Sequence, residues 1–217
     1  IAFRPTGEVT PAGLVRFTIT PPESMSFGGP LAGGTGTAAQ IAVSPDGRSI
    51  VFVAGAQSAY QIWLRPIGAG AATAIPGTEG GTFPFWSPDS RFLGFFANNQ
   101  VKRVAVAGGL PRPLAPTQRG DALGGTWGAG DRILYADQGR ILSVDTAGSE
   151  PAVVAEPDRA SGQGELRWPQ FLPVGQHFLF FASHENPVRA GIYVGQRGPR
   201  ETMFLLAGTS RAVFAPP

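Results

Sequence analysis

The sequence contains Val43-Ser44-Pro45-Asp46-Gly47-Arg48 and, 43 residues later, Trp86-Ser87-Pro88-Asp89-Ser90-Arg91. The likeness continues into the apolar stretches that follow, Ile50-Val51-Phe52-Val53-Ala54 and Leu93-Gly94-Phe95-Phe96-Ala97, at the same offset. It therefore covers the end of one strand, a turn and a second strand. A unit repeated at this period is the signature of a repeat architecture, and it takes precedence over any isolated motif.

Two more divergent copies of the repeat follow in the sequence. Trp127-Gly128-Ala129-Gly130-Asp131-Arg132 follows at a step of 41, and Phe171-Leu172-Pro173-Val174-Gly175-Gln176 at a step of 44. The third copy lacks the Ser-Pro-Asp-Gly corner, and the fourth has Val174 where Asp is expected. Four copies at about 43 residues match the length of a four-stranded β-propeller blade.

Turn chemistry predicts four strands in each repeat. Pro45 presets φ at the second position of a type I turn, and Gly47 takes the left-handed conformation, so this corner joins strands one and two. Strand three is rich in β-branched and aromatic residues, and a glycine-bearing turn leads to a short strand four. The residues that define the repeat are Ser44, Pro45, Asp46, Gly47, Trp86, Ser87, Pro88, Asp89, Trp127, Phe171 and Pro173.

The predicted fold is an all-β propeller of about four blades with a partial or open ring. An N-terminal segment, 1–38, holds a candidate ring-closing strand at 14–20, and a fifth blade starts at 209–217. The predicted blades span residues 39–78, 79–118, 119–160 and 161–208. An unclosed arc leaves a strand edge and a blade face uncovered, so self-association through the open edge is expected.

Composition agrees with a globular all-β chain. Of 217 residues, 42% are hydrophobic and 15% charged, and the 31 glycines and 21 prolines suit many short strands joined by turns. The net charge is only +2, and the arginines are scattered singly, so nucleic-acid binding is not predicted. No stretch approaches the roughly 18 apolar residues of a membrane span, and no membrane contact is expected from this segment. The chain lacks an initiator Met, which suggests a piece of something longer.

No catalytic or cofactor motif is found. The sequence has no Gly-x-Ser-x-Gly nucleophile elbow and no kinase signature, and Lys102 is its only lysine. The run Gly34 to Ala39 resembles a dinucleotide fingerprint without the strand and helix that one requires. His177 and His184 are too few for a histidine site. On the innermost strands Gln40 and Gln170 are the polar candidates, and amides alone make a poor divalent site. We therefore predict no cofactor, no metal and no catalysis.

One charged constellation is a candidate binding rim. Glu79, Asp121 and Glu165 lie six or seven residues before Trp86, Trp127 and Phe171, with Arg119 and Arg167 beside two of them. Loops that lead into innermost strands surround one mouth of a propeller's channel, where carboxylates could bind a hard cation or a basic ligand. Exposed charges that compensate one another are the alternative. Trp86, Trp127 and Phe171 themselves could pack between blades or stack on a ligand, and packing is the preferred interpretation.

The chain resembles the Pro-Asp repeat propellers of TolB-type proteins, which are related in shape to WD-repeat propellers. Phe85-Trp86-Ser87-Pro88-Asp89, Trp168-Pro169-Gln170-Phe171-Leu172-Pro173 and Gly191-Ile192-Tyr193-Val194-Gly195 are more narrowly similar to the extracytoplasmic propeller attached to many bacterial serine/threonine kinases. That resemblance implies a sensory or scaffolding module on the periplasmic side, joined by a membrane span to a kinase that carries the activity. It also implies an intact propeller of six or more blades.

Three functions are compatible with the sequence. The first is a non-catalytic module that binds a protein, a peptide or a small ligand at the channel mouth, within a larger bacterial signalling protein. The second is the propeller of a prolyl-oligopeptidase-like hydrolase, and the third is a metal-dependent propeller enzyme. Sequence flanking the chain would separate the first two.

Overall fold

The structure is a computed structural model, and it describes residues 18–30, 37–38, 40–56, 59–118, 123–173, 175–196 and 202–213. Four antiparallel sheets follow one another along the chain, each built as a meander, and together they form an arc of a β-propeller. Only two single-turn 3-10 helices occur in this part of the chain, at Arg159–Ser161 and Pro187–Arg189. No helix among the described residues is long and apolar enough to cross a membrane.

The strands are numbered in chain order. The N-terminal segment contributes β1 (Ser26–Phe27) and a small ladder of β2 (Gly29–Pro30) with β3 (Thr37–Ala38). Blade one consists of β4 (Ile41–Val43), β5 (Ser49–Ala56), β6 (Ala59–Pro66) and β7 (Thr73–Ala74). Blade two consists of β8 (Thr82–Trp86), β9 (Phe92–Ala97), β10 (Gln100–Ala105) and β11 (Arg112–Pro116). Blade three consists of β12 (Gly125–Gly128), β13 (Arg132–Asp137), β14 (Arg140–Asp145) and β15 (Ala152–Ala155). Blade four consists of β16 (Gln163–Phe171), β17 (His177–His184), β18 (Gly191–Gln196) and β19 (Thr202–Ala207).

The Ser-Pro-Asp-Gly corner is a small hydrogen-bonded unit. The Ser44 hydroxyl donates to Asp46 Oδ1 at 2.6 Å, and the backbone N–H of Arg48 donates to the same oxygen at 3.0 Å. The Ser44 Oγ also accepts from the N–H of Ser49 at 2.9 Å. Gly47 has a φ of 68°, the left-handed value that the turn was predicted to need. These bonds fix the angle at which β4 turns into β5.

Blade two repeats the corner with one substitution. Ser87 and Asp89 make the same bond at 2.6 Å, and Ser90 takes a φ of 60° where blade one has glycine. The Ser90 hydroxyl accepts from the backbone N–H of Asp46 at 3.1 Å, so it also ties the two corners together. Ser90 therefore adopts a strained left-handed backbone, and its hydroxyl forms a hydrogen bond between blades one and two.

The hydrophobic core is divided into layers between neighbouring blades. Because second strands are covered on both faces, β9 is buried along nearly its whole length: Leu93 and Phe95 face blade one, and Phe92 and Phe96 face blade three. Trp86, Trp127 and Phe171 lie one in each successive layer, each no more than 8% exposed. The indole N–H of Trp86 donates to the carbonyl of Ala42 in blade one at 3.1 Å.

Two glycines make room for the ring of Phe85 between blades two and three. A Cβ built on Gly94 would lie 2.1 Å from the Phe85 ring, and one built on Gly125 would lie 2.5 Å from it. Phe85 therefore has one glycine of its own sheet and one of the next blade against its ring. A similar contact joins blades three and four, because a Cβ on Gly128 of blade three would lie 2.6 Å from the ring of Phe171 of blade four.

The two ends of the arc differ. On blade one, the outer face holds Ile50, Phe52 and Ala54, which are covered by Ile19 and by the Phe27 ring, edge-on to Phe52 at 5.2 Å. β1 adds to β5 beside β4, with Phe27 opposite Ala54. Of the predicted closing strand at 14–20, residues 14–17 lie outside the described residues, and Thr18 to Thr20 form no strand.

Blade four ends in an exposed strand. Every residue of β19 is exposed, including Met203, Phe204, Leu205 and Leu206 at 42–62%. The outer face of this blade, with Leu179, Phe181 and Ile192, is partly covered by Ala212 from the segment Thr209–Val213. That segment is not a strand in the structure, and residues 214–217 lie outside the described part, so the predicted start of a fifth blade stays a prediction.

Candidate functional site

The first strands of the four blades surround a common channel. β4 neighbours β8, β8 neighbours β12 and β12 neighbours β16, so each blade presents its first strand to the same space. The larger of two clefts in this channel has a volume of about 640 Å³. Its lining includes Val43, Trp86, Trp127 and Phe171, which hold equivalent positions at or next to the ends of the four inner strands, together with Arg211 and Val213 from the C-terminal segment.

The second cleft, which we call the mouth cleft, lies where the inner strands begin. It has a volume of about 360 Å³, in the range of small-molecule sites. Gln40, Phe83, Gly124 and Trp168 contribute to it, and each stands three residues before the repeat position held by Val43, Trp86, Trp127 and Phe171. The other lining residues come from the next positions along those strands and from the C-terminal segment: Ile41, Pro84, Gly125, Pro169, Gln170, Thr209, Ser210, Arg211, Ala212 and Val213.

Three of the four equivalent residues at the mouth have a left-handed backbone. Phe83, Gly124 and Trp168 have φ values of 48°, 92° and 52°, whereas Gln40 is not among the residues with positive φ. The ladder of β8 with β9 shifts register between Thr82 and Phe85, and the ladder of β16 with β17 shifts next to Trp168. Bulges of this kind redirect side chains. Here they place an aromatic residue at the mouth in blades two and four.

Gln40 connects blade one to blade two beneath the mouth. Its side chain is buried, with 6% of the residue exposed, and its Oε1 accepts from the backbone N–H of Phe83. Its Nε2 is buried and has no hydrogen-bond partner among the described residues. An amide nitrogen buried without an acceptor is costly, by about 1–3 kcal/mol. The orientation of the amide follows from chemistry, because the N–H of Phe83 requires an oxygen.

Of the charged rim predicted from the sequence, the structure describes Glu79, Glu165 and Arg167. Glu79 is in the exposed loop before β8, and its Oε1 accepts from the N–H of Gly77 at 3.3 Å. Glu165 pairs with Arg167 on β16 at 2.5 Å, with half of the glutamate side chain exposed. Neither Glu79 nor Glu165 lines the two clefts. Arg119 and Asp121 lie outside the described residues.

The described residues contain no cluster of metal-binding side chains. Within the described ranges, no three His, Asp or Glu side chains come together as a metal ion would require. His177 and His184 stand at opposite ends of β17. Glu165 and Arg167 satisfy each other's charge at the surface, where such a pair contributes little to stability.

Sequence analysis named Gln40 and Gln170 as polar candidates on the innermost strands, and it did not predict Phe83, Trp168 or Arg211 as functional residues. The repeat alignment carried a usable signal, because it puts Gln40, Phe83, Gly124 and Trp168 in one column. A glycine in that column of the third copy points to a left-handed position. Arg211 stands in the same column of a fifth copy, 43 residues after Trp168.

Comparisons with known proteins agree on the fold. No family model matches the chain. An uncharacterized protein from Agrobacterium fabrum, Atu1656, is 26% identical over 154 residues, which is 63% of this chain and 52% of that protein. The chain thus spans about half the length of this curated relative.

Among solved structures, a putative TolB from Agrobacterium tumefaciens superposes with a TM-score of 0.59 at 18% identity, over 81% of this chain and 70% of that one. A prolyl endopeptidase superposes with a TM-score of 0.54 at 13% identity, over 86% of this chain and 29% of that one. The chain therefore has the fold of TolB-type propellers and of the propeller domains found in hydrolases.

Proposed function

We propose that the chain is a non-catalytic binding module whose ligand or partner sits in the central channel. The observation that carries this proposal is the convergence of four inner strands on two adjoining clefts of about 640 and 360 Å³. Their lining is largely apolar, aromatic or prolyl, with a few polar groups such as Gln40, Gln170 and Arg211. Concave apolar surface with a few convergent polar groups is typical of ligand sites.

A finer proposal concerns the protein to which the module belongs. We propose that it is the sensory or scaffolding part of a bacterial signalling protein such as a serine/threonine kinase, on the extracytoplasmic side of the membrane. Its support is the sequence similarity around Trp168-Pro169-Gln170-Phe171 to kinase-associated propellers. Kinase or hydrolase activity would then reside in another part of the polypeptide. The parent reading frame tests this: a kinase domain and a membrane span upstream support it, and a flanking hydrolase domain contradicts it.

The binding proposal is tested with two matched tryptophan substitutions. Val213 is 65% exposed and lines both clefts, so Val213→Trp fills channel space without entering the core. Val188 is 69% exposed in a 3-10 helix away from both clefts, so Val188→Trp is its control.

A library of metabolites and short peptides is screened by thermal shift against the three proteins. A ligand bound to the folded state raises the melting temperature. Compounds that stabilise the wild type and V188W but not V213W support the channel as the binding site. Stabilisation that V213W retains, or turnover of any library compound by the chain, contradicts the proposal.

A further inference from the structure

The mouth cleft has a chemical character that goes beyond the presence of space. Its walls include two aromatic residues, each followed by a proline: Phe83 with Pro84, and Trp168 with Pro169. Both rings are half-buried and held against their own blades, Phe83 against Phe96 at 6.4 Å and Trp168 against Phe181 at 5.4 Å. Rigid aromatic walls bind planar apolar groups at a low cost in conformational entropy.

Backbone strain marks the same two positions. A non-glycine residue in the left-handed region is strained, and such residues are concentrated at active sites and ligand sites. Phe83 and Trp168 both adopt this conformation at equivalent places in their blades. The fold therefore keeps two aromatic residues at the mouth where glycine, as at position 124, would be less strained.

The polar groups of the mouth favour an acceptor. Gln40 lines the cleft, and its buried Nε2 lacks a partner in the described part of the chain. Unsatisfied buried polar groups are few in native proteins, and each calls for an explanation. An oxygen brought in by a ligand would satisfy this amide, because an amide nitrogen can only donate.

The charge of the channel favours an anion. Among the described lining residues of both clefts there is no Asp or Glu, and Arg211 is common to both linings. No described carboxylate lies within ion-pair distance of Arg211. An unpaired guanidinium beside an apolar cleft attracts carboxylates, which it can bind through two parallel hydrogen bonds.

Resting on the binding role proposed above, we infer that the mouth cleft binds a small ligand that carries an aromatic ring and a carboxylate. The ring lies against Phe83 and Trp168, and the carboxylate accepts from the Nε2 of Gln40 and from Arg211. This is the reverse of the ligand expected from the predicted rim of carboxylates, which would have attracted a cation.

The test uses benzoate as the probe, with benzamide and benzylamine as neutral and cationic controls of similar shape, and isothermal titration as the measurement. Benzoate should bind saturably and at least tenfold more tightly than benzylamine. Gln40→Glu keeps an oxygen for the N–H of Phe83 but removes the free donor and adds a negative charge, so it should weaken benzoate binding tenfold or more. Arg211→Gln should weaken it severalfold, and Arg159→Gln, an exposed arginine in a 3-10 helix, should leave it unchanged.

N-acetylphenylalanine is a second probe, with the same ring and carboxylate at a peptide-like end. Whichever of benzoate and N-acetylphenylalanine binds more tightly identifies the source of the carboxylate. Should Q40E fold poorly by circular dichroism, R211Q still tests the site.

Equal binding of benzoate and benzylamine, or unchanged benzoate binding in both Q40E and R211Q, overturns the inference. Ligands found in the channel screen that are insensitive to these two variants would leave the binding module intact and overturn the carboxylate site alone.

Discussion

Phe83 and Trp168, 85 residues apart in the chain, adopt the same left-handed backbone conformation at the same place in their blades, with φ values of 48° and 52°. Each lies at a shift in the ladder between the first and second strands of its blade. The repeat therefore preserves a bulge at the mouth of the channel as well as the Ser-Pro-Asp-Gly corner at its other end. The corner can be recognised from residue types, and the bulge cannot.

The ring of Phe85 packs against Gly94 of its own blade and against Gly125 of blade three. Gly94→Ala places a Cβ within 2.1 Å of the Phe85 ring, which is itself held by Gly125. We expect a loss of about 1–3 kcal/mol in the free energy of unfolding, as for overpacked cores. Gly68→Ala is the matched control, because nothing lies within 4 Å of its Cβ, and it should change stability by about 0.5 kcal/mol or less. Urea denaturation of both variants measures the difference, and equal effects would contradict the packing described here.

The corner of blade two should depend on its serine. Ser87 is 2% exposed, and its hydroxyl donates to Asp89 and accepts from the N–H of Phe92. Ser87→Ala removes both bonds, so we expect a loss of about 1–2 kcal/mol. Ser210→Ala, at an exposed position outside the strands, serves as the control for the substitution itself. Chemical denaturation at pH 7 compares the two, and a silent S87A would show that the corner does not hold the blade.

Stability should also fall in acid through the two corner aspartates. Hydrogen bonds from Ser44 and from the Arg48 backbone hold the pKa of Asp46 below the ordinary value of an aspartate, and those from Ser87 and the Arg91 backbone lower the pKa of Asp89 in the same way. A lowered folded-state pKa means that this contribution is present above about pH 4 and lost as the pH falls through the folded value.

The variant Asp89→Asn should therefore be less stable than the wild type at neutral pH, with the gap closing at pH values below the folded pKa. Glu23→Gln removes an exposed carboxylate outside the corners and controls for net charge. Unfolding followed at a series of pH values from 7 to 2 measures the gap, and a gap that is constant across this range would contradict the assignment.

Self-association should proceed through β19. This outermost strand exposes Met203, Phe204, Leu205 and Leu206 beside a free strand edge, which is a template for pairing with another chain. Met203→Lys together with Leu205→Lys should lower the apparent mass at high concentration, because charges on an edge strand oppose pairing. Leu110→Lys, at a turn residue that is 93% exposed, is the control. Light scattering measures the mass, and a wild-type monomer at high concentration would contradict this expectation.

Much of the fold could be predicted from the sequence because it depends on local chemistry. Residue types directly indicate the step of about 43 residues, the turn at Gly47 and the apolar second strands. The sequence gives a weaker signal for the mouth cleft. Phe83 and Trp168 owe their conformation to a shift in strand register, and an aromatic residue type does not predict such a shift. The importance of Gln40 also depends on its neighbours, since burial and a missing partner for its Nε2 are properties of the packed blades.

Fluorine NMR of the protein labelled with 5-fluorotryptophan tests directly whether the mouth of the channel is the binding site. The chain has four tryptophans, of which Trp168 lines the mouth cleft and Trp63 lies on the outer face of blade one, with its indole N–H bonded to the carbonyl of Ala54. On titration with benzoate, the Trp168 resonance should shift saturably while the Trp63 resonance stays in place. A Trp168 resonance that does not move at saturating benzoate, or four resonances that move alike, would contradict the account.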